Sequence, residues 1–248
     1  MSGAARQRLF CFHHAGAGSS AFARWQHRLG PGTEVVPVLL PGRDNRRREP
    51  RITDHDRLVA ELVEQLGPLT DLPYALYGHS LGGLVAHTFA RAATAAGLPP
   101  ARLAVIGAVL PPHLDTALLG YVDMPDGELL RRLVAHGMLP QEALEGGASS
   151  LWRRTVLPVL RDDLMLARAL RAAAAPLPDV PVLALAGLDD AIAPVEGVAQ
   201  WRRWAGAGFE LRTVPGGHVF VRDRALPALL REVLDALPPA VRPESSTV

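Results

Sequence analysis

The feature that most narrows the folds open to this chain is an alternation of two kinds of segment. Short β-rich runs recur at residues 9–12, 34–39, 74–77, 103–110, 182–186 and 209–214, and helical patterns lie between most of them. Several of these runs are apolar at consecutive positions, as strands are when both faces of their sheet are covered. Between the second and third runs, residues 54–66 place Leu58, Val59, Leu62, Val63 and Leu66 on one helical face behind a Thr53 or Asp54 cap. Strands and helices alternating in this way predict an α/β fold: a mostly parallel central sheet with helices on both faces.

The alternation breaks between Pro111 and Pro181. This stretch reads as helices only, at residues 126–136, 151–160 and 164–174, joined by Gly146-Gly147 and proline-containing turns. Because it is short and both ends return to the sheet, it is expected to be a helical lid inserted into a single domain spanning residues 1–248. Residues 238–248, rich in Pro, Ser and Thr, read as a disordered tail.

Composition removes several function classes. Every positive side chain is Arg, since the sequence contains no lysine, and a phosphate loop ending in Gly-Lys-Ser/Thr is therefore impossible, as is the phosphate-pairing Lys of a kinase. The formal charge of +1 leaves no global field to attract nucleic acid or an anionic membrane. The lone Cys11 excludes an internal disulfide and a clustered-cysteine zinc site, and its apolar run suggests core packing. Residues 1–8 lack the apolar core of a secretory signal, and no stretch approaches the roughly 20 apolar residues of a membrane span. A soluble, cytoplasmic monomer is expected.

Gly78-His79-Ser80-Leu81-Gly82 is a GxSxG pattern lying directly after the run 74–77 and before an apolar helix at 84–96. In that setting it reads as a nucleophile elbow, a strained strand-to-helix turn that lifts a serine hydroxyl above the sheet of an α/β-hydrolase fold. Serine is a weak nucleophile at neutral pH and needs a base, which in turn needs a carboxylate to hold its tautomer. In this fold the chain order is Ser, acid, His. The run 182–186 ends at Gly187-Leu188-Asp189-Asp190, and the run 209–214 ends at Pro215-Gly216-Gly217-His218. Taken singly, these are ordinary turn residues. In the required order, each at a strand's carboxyl end where open α/β sheets build their sites, they make Ser80, His218 and one of the two aspartates a candidate triad. His79 reads as an elbow-packing residue.

A Gly-rich turn, His13-His14-Ala15-Gly16-Ala17-Gly18, follows the first run. In a hydrolase it supplies one oxyanion-hole N–H, and the residue after the nucleophile, Leu81, supplies the other. Residues Gly16 to Ala21 also fit GxGxxG/A after a strand, the dinucleotide fingerprint of an oxidoreductase. That rival needs an acid at the end of the second strand, where Leu39-Leu40-Pro41-Gly42-Arg43 offers none before Asp44. His13 and His14 are poor metal ligands, because neighbours on an extended chain point apart.

The chain resembles the type II thioesterases that accompany polyketide synthases and nonribosomal peptide synthetases. The matches are His14-Ala15-Gly16, Leu40-Pro41-Gly42-Arg43 with Arg46 and Glu49-Pro50, Gly78-His79-Ser80, Pro112-His113, Leu157-Pro158-Val159-Leu160-Arg161 with Asp163, Asp190, and Gly216-Gly217-His218. The resemblance implies hydrolysis of acyl thioesters from the phosphopantetheine arm of acyl or peptidyl carrier proteins, with no cofactor of the enzyme's own. It assigns Asp190 rather than Asp189 as the acid, and the backbone N–H groups of Ala15 and Leu81 as the oxyanion donors. Rivals within the fold are a chain-releasing or acyl-transferring thioesterase and a general carboxylesterase; a non-catalytic binding protein would not keep the triad.

Three positions depart from the family pattern. His13 stands where Pro is usual, Ala17 interrupts a Gly-Gly pair, and Val109-Leu110 are more apolar than in many members. The apolar pair predicts that medium-length acyl groups compete well with acetyl. The arginines at positions 43, 46, 47 and 48 suit either a phosphate or acidic carrier surface, or simply a solvated loop.

Overall fold

The computed structural model describes residues 5–145, 150–177 and 179–238. The Gly146-Gly147 turn and residues 239–248 of the expected tail lie outside the described residues. The β-rich runs form six parallel strands, β1 (Gln7–Phe12), β2 (Thr33–Val38), β3 (Tyr74–His79), β4 (Ala104–Gly107), β5 (Val182–Gly187) and β6 (Phe209–Val214), in the spatial order β2-β1-β3-β4-β5-β6. The interior strands β3, β4 and β5 are buried at every position, whereas the edge strands β2 and β6 are partly exposed. The consecutive apolar residues thus mark strands covered on both faces.

Successive side chains of one strand feed opposite faces. Leu9 and Cys11 join Trp25 and Leu29 of α1 (Trp25–Leu29) and Leu230 and Leu234 of α8 (Leu226–Ala236) on one side. Phe10 and Phe12 join Leu58 and Leu62 of α2 (His55–Leu66) and Leu84 and Phe89 of α3 (Leu81–Ala95) on the other. Asp54 caps α2 by accepting the N–H of Arg57 at 2.9 Å. Cys11 is fully buried in the first of these layers.

The chain passes from β1 outward to β2 and then back across β1 to β3, so the connections leaving β1 and β3 run in opposite directions. Their carboxyl ends therefore border the crevice where open α/β sheets hold ligands. The strand expected at 103–110 stops at Gly107, because Ala108 takes φ +54° and turns Val109 and Leu110 out of the sheet toward this crevice. The Gly-rich turn after β1 leads into a 3₁₀ turn, Ser19–Phe22, and then α1.

Between β4 and β5 lie α4 (Ala117–Gly120), α5 (Asp126–Ala135) and the long helix α6 (Leu157–Ala172), and a short helix, α7 (Val195–Val198), follows β5. The first two helices and α6 share an apolar cluster of their own that includes Tyr121, Leu129, Leu130, Leu133, Leu157, Leu160 and Leu164. The two helices expected at 151–160 and 164–174 are one: α6 continues without interruption from a π-helical turn at Trp152–Val156. Pro158 explains the π turn. A proline inside an α-helix lacks one N–H and clashes with the carbonyl four residues back, and a widened turn relieves both. Arg161 ties α6 to the start of α5 through the carbonyls of Val122 and Met124 and the Asp126 carboxylate. No helix among the described residues is long and apolar enough to cross a membrane.

The tightest backbone approach lies beneath the crevice. A Cβ on Gly82 would stand 2.0 Å from the Phe12 carbonyl oxygen, and one on Gly78 would stand 2.0 Å from that of Gly82. Gly82→Ala is therefore expected to cost at least about 3 kcal/mol, since main chain rather than a movable side chain must give way. Gly120→Ala meets nothing within 4 Å and should stay within about 0.5 kcal/mol of wild type. Urea unfolding of the two variants checks the contrast; equal losses would show that close packing at Gly82 is not the constraint.

Candidate active site

Ser80 sits between β3 and α3 with φ +54° and ψ −118°, a region that non-glycine residues occupy only when the surroundings force it. Its N–H donates to the Gly107 carbonyl at 2.8 Å, and its own carbonyl accepts from the Gly83 N–H at 2.9 Å. The strained turn is thus fastened to β4 on one side and to the first turn of α3 on the other. The Ser80 hydroxyl lies 3.0 Å from His218 Nε2.

His218 leaves the loop after β6, where Gly216 takes φ +94°. Its Nδ1 lies 2.9 Å from Asp190 Oδ2 and donates to it, which leaves Nε2 as the acceptor facing Ser80. Asp190 follows β5; its Oδ1 accepts the N–H groups of Ile192 at 2.9 Å and Ala193 at 3.0 Å. Burial opposes ionisation of Asp190, but the hydrogen bond and charge of His218 and the two backbone donors outweigh it and hold the carboxyl below the usual aspartate range. The neighbouring Asp189 is exposed. Of the two acids after β5, only Asp190 reaches the His218 ring.

His79 has a place that its sequence position did not disclose. Its Nε2 lies 2.7 Å from the His218 carbonyl oxygen, which can only accept, so Nε2 carries the proton and Nδ1 accepts from the Tyr77 hydroxyl at 3.0 Å. Complete burial pushes the His79 pKa well down, in keeping with this neutral tautomer. His79 holds the backbone of the loop that carries His218.

Ala15, in the turn after β1, and Leu81, the first residue of α3, line a narrow pocket together with Ser80. Neither backbone N–H donates to another group among the described residues.

The Gly-rich turn is built around carboxylates. Gly16 N–H donates to Asp163 Oδ2 at 2.7 Å, and the Ser19 N–H and hydroxyl both donate to Asp44 Oδ2 at 2.9 Å. Gly18 lies so close to Asp44 that a Cβ would come within 2.3 Å of its carboxylate. A dinucleotide pyrophosphate needs those N–H groups free at the start of a helix, and here anions already hold them. His13 donates from Nδ1 to the His14 carbonyl at 3.0 Å, and burial with the adjacent Arg43 charge lowers its pKa to about 4. His14 turns the other way, its ring 5.9 Å from that of His79. Among the described residues no group of three His, Cys, Asp or Glu side chains is placed to hold a metal ion.

The arginine run does not act as a unit. Arg43 is buried against Asp163, and Arg46 pairs with Glu49 and Glu61, so two of the four cations considered for an anionic partner are committed within the fold. Arg47 and Arg48 are exposed.

A family model described as thioesterase domain matches residues 7–237. The chain belongs to this family. The thioesterase is similar to a structure described as the RedJ thioesterase from the prodiginine biosynthetic pathway in Streptomyces coelicolor, with 36% identity, a TM-score of 0.82, and coverage of 92% of this chain and 86% of that one. It is similar to the structure of the type II thioesterase BorB from the borrelidin biosynthetic cluster, with 28% identity, a TM-score of 0.79, and coverage of 94% and 96%. A third relative, named linear gramicidin dehydrogenase LgrE, from Brevibacillus parabrevis, is 31% identical over 90% of this chain and 85% of its own length. The α/β-hydrolase fold of these neighbours is the fold of this thioesterase, a serine hydrolase.

Two cavities flank the Ser80–His218 pair. A cleft of about 700 Å³ has His14, His79 and His218 at its inner end and the exposed Arg24, Arg28, Arg222 and Arg224 around its opening. On the other side a narrow pocket of about 40 Å³ is lined by Ser80, Leu84, Val109, Leu110, Leu119 and Ala193. Replacing the acid that reaches His218 should matter far more than replacing its neighbour: Asp190→Asn is expected to lower turnover of a model thioester about 10⁴-fold through the wrong imidazole tautomer. Asp189→Asn should fall within about threefold of wild type, as an exposed side chain with no part in the line of hydrogen bonds. The reverse ranking in steady-state hydrolysis would reject Asp190 as the acid.

Proposed function

We propose that this protein is a type II thioesterase that hydrolyses acyl groups from the phosphopantetheine thiol of carrier proteins in polyketide or nonribosomal peptide assembly, with Ser80, His218 and Asp190 as its triad. The observation that carries the proposal is the unbroken line from the Ser80 hydroxyl through both nitrogens of His218 to Asp190, set between a large cleft and a narrow apolar pocket. Family membership supports carrier-protein substrates, and the dehydrogenase name of one relative finds no counterpart in the carboxylate-filled turn of this chain.

In the first half of the reaction Ser80 Oγ attacks the thioester carbonyl carbon while its proton passes to His218 Nε2. The carbonyl oxygen becomes an oxyanion accepting from the Ala15 and Leu81 N–H groups. Collapse of this intermediate breaks the carbon–sulfur bond, and the departing pantetheine sulfur takes the proton from Nε2. Water then attacks the acyl-Ser80 ester with Nε2 as base, and the second collapse releases the carboxylic acid and restores the hydroxyl. Throughout, Asp190 accepts from Nδ1, so the proton moves only on the Nε2 side.

The two cavities divide the substrate between them. The large cleft suits the long pantetheine arm, and the four arginines at its opening have no carboxylate partner among the described residues. Guanidinium groups match phosphate oxygens in charge and geometry, so this rim fits the phosphodiester of the arm and an acidic carrier surface. The narrow pocket takes the acyl chain. Its lining is apolar, as Val109 and Leu110 suggested, but its volume admits only a few heavy atoms. Acetyl and propionyl groups therefore suit it better than the medium-length chains that the lining alone favoured. Arg171 closes the pocket by donating to the carbonyls of Leu110, Pro111 and Leu114, and Trp201 Nε1 donates to the Val109 carbonyl at 2.8 Å.

Measuring kcat/KM for acetyl, butyryl and octanoyl groups on a carrier protein and on free pantetheine tests the proposal. The carrier-bound acetyl group is expected to be turned over fastest, and Ser80→Ala to lose activity by on the order of 10⁴-fold or more. Arg24→Glu combined with Arg222→Glu should raise KM for the carrier substrate about tenfold and leave acetyl-pantetheine, which lacks the phosphate, unchanged. No carrier advantage for any chain would identify a general esterase instead, and a preference for octanoyl would reject the narrow pocket as the acyl site.

A further inference from the structure

Two motifs that lie 120 positions apart meet beside the oxyanion loop, and the reaction as written uses neither. We infer that Arg43 and Asp163 are positioning residues that set the aim of the Ala15 N–H, and so tie the oxyanion hole to helix α6 of the insertion. The inference rests on the reading of Ala15 as an oxyanion donor.

Arg43 and Asp163 form a buried two-pronged ion pair, Nη1 to Oδ2 at 2.9 Å and Nη2 to Oδ1 at 2.7 Å. The pair also holds the turn at two points. Asp163 Oδ2 accepts the Gly16 N–H at 2.7 Å, and Arg43 Nη1 donates to the Ala17 carbonyl at 3.0 Å. The Gly16 N–H and the Ala15 carbonyl belong to one rigid peptide plane. With that plane held by the carboxylate, the Ala15 N–H is separated from a fixed group by only the two soft torsions of Ala15. Gly16 itself takes φ +74°, and the Leu160 side chain packs over it, with Cδ1 3.5 Å from where a Cβ would stand. Leu160 and Asp163 are three apart on α6 and share a face, so one helix holds the turn by packing and by charge.

A stability role alone does not account for the pair. Buried ion pairs gain little over well-packed apolar side chains, because removing two charges from water is costly. An apolar pair, however, has no acceptor for the Gly16 N–H. A lone carboxylate next to a developing oxyanion would also repel it, and the Arg43 charge cancels that repulsion while leaving the acceptor in place.

Two double variants separate the acceptor from the charge. Arg43→Met/Asp163→Leu keeps apolar volume and removes the acceptor, whereas Arg43→Gln/Asp163→Asn removes the charges and retains an oxygen for Gly16. Each is measured for thermal stability, for kcat and KM on acetyl-pantetheine and p-nitrophenyl acetate, and for affinity toward a trifluoromethyl ketone, whose adduct with the serine places an oxyanion in the hole. The Met/Leu variant is expected to fold, to lose about 10² to 10³ in kcat with KM within about twofold, and to lose ketone affinity by a similar factor. The Gln/Asn variant should recover at least tenfold of both losses. Folded variants with wild-type kcat and ketone affinity, or equal losses in both variants, would overturn the inference, as would losses confined to stability or KM. Because both substrates lack a carrier protein, the outcome is independent of whether carriers prove to be the natural partners.

Discussion

At Gly82 the first turn of α3 approaches the Phe12 carbonyl so closely that a methyl group would stand 2.0 Å from the oxygen. That approach lets β1, β3 and α3 meet at one point, and the site follows from it. Ser80 is lifted out of β3 at φ +54°, Leu81 begins the helix with its N–H free, and the turn after β1 brings Ala15 alongside. The strain at Ser80 persists because its N–H and carbonyl are both hydrogen-bonded to neighbouring elements. Without the glycine, β1 and α3 would have to separate, and Ala15 and Leu81 would separate with them.

Above this backbone junction the polar groups of the site are arranged in chains that leave little freedom. Tyr77 donates to His79, and His79 donates to the backbone carbonyl of His218. The His218 ring is oriented in turn by Asp190, whose other oxygen is filled by the Ile192 and Ala193 N–H groups. Each buried carboxylate has its oxygens occupied by specific donors, which is what makes burying it tolerable. The same rule operates at Asp163, whose two oxygens take Arg43 and Gly16.

The insertion contributes more than a cover. The C-terminal half of α6 belongs to the main core, through Leu166 and Leu170, and the N-terminal half of the same helix to a separate apolar cluster through Leu157, Leu160 and Leu164. Helix α6 is therefore shared between the two layers, and the widened turn that accommodates Pro158 lies at its start. One face of this helix shapes the narrow pocket through Leu164, Ala167 and Arg171, and Asp163 reaches the Gly-rich turn.

Much was legible in the sequence because it depends on neighbours along the chain. Consecutive apolar runs mark strands covered on both faces, the Asp54 cap and its Leu58, Leu62, Leu66 stripe mark α2, and glycines around Ser80 mark a turn too tight for side chains. The order of serine, acid and histidine, each after a strand, could be read for the same reason. What the sequence alone left open involves partners far apart. Local pattern does not tell Asp189 from Asp190, since their difference is which one reaches a ring 28 residues later. The arginine run reads as one basic loop, yet Arg43 is buried because Asp163 lies opposite it, and Arg46 is neutralised by Glu49 and Glu61. The apolar character of the narrow pocket beside Ser80 was visible at Val109 and Leu110; that Arg171 and Trp201 fasten this segment through its carbonyls was not. Propensity and periodicity act over a few residues and determined the elements. Volume, burial and charge pairing arise only when the elements pack, so the tertiary structure alone decided which side chains face the reaction and which hold the fold around it.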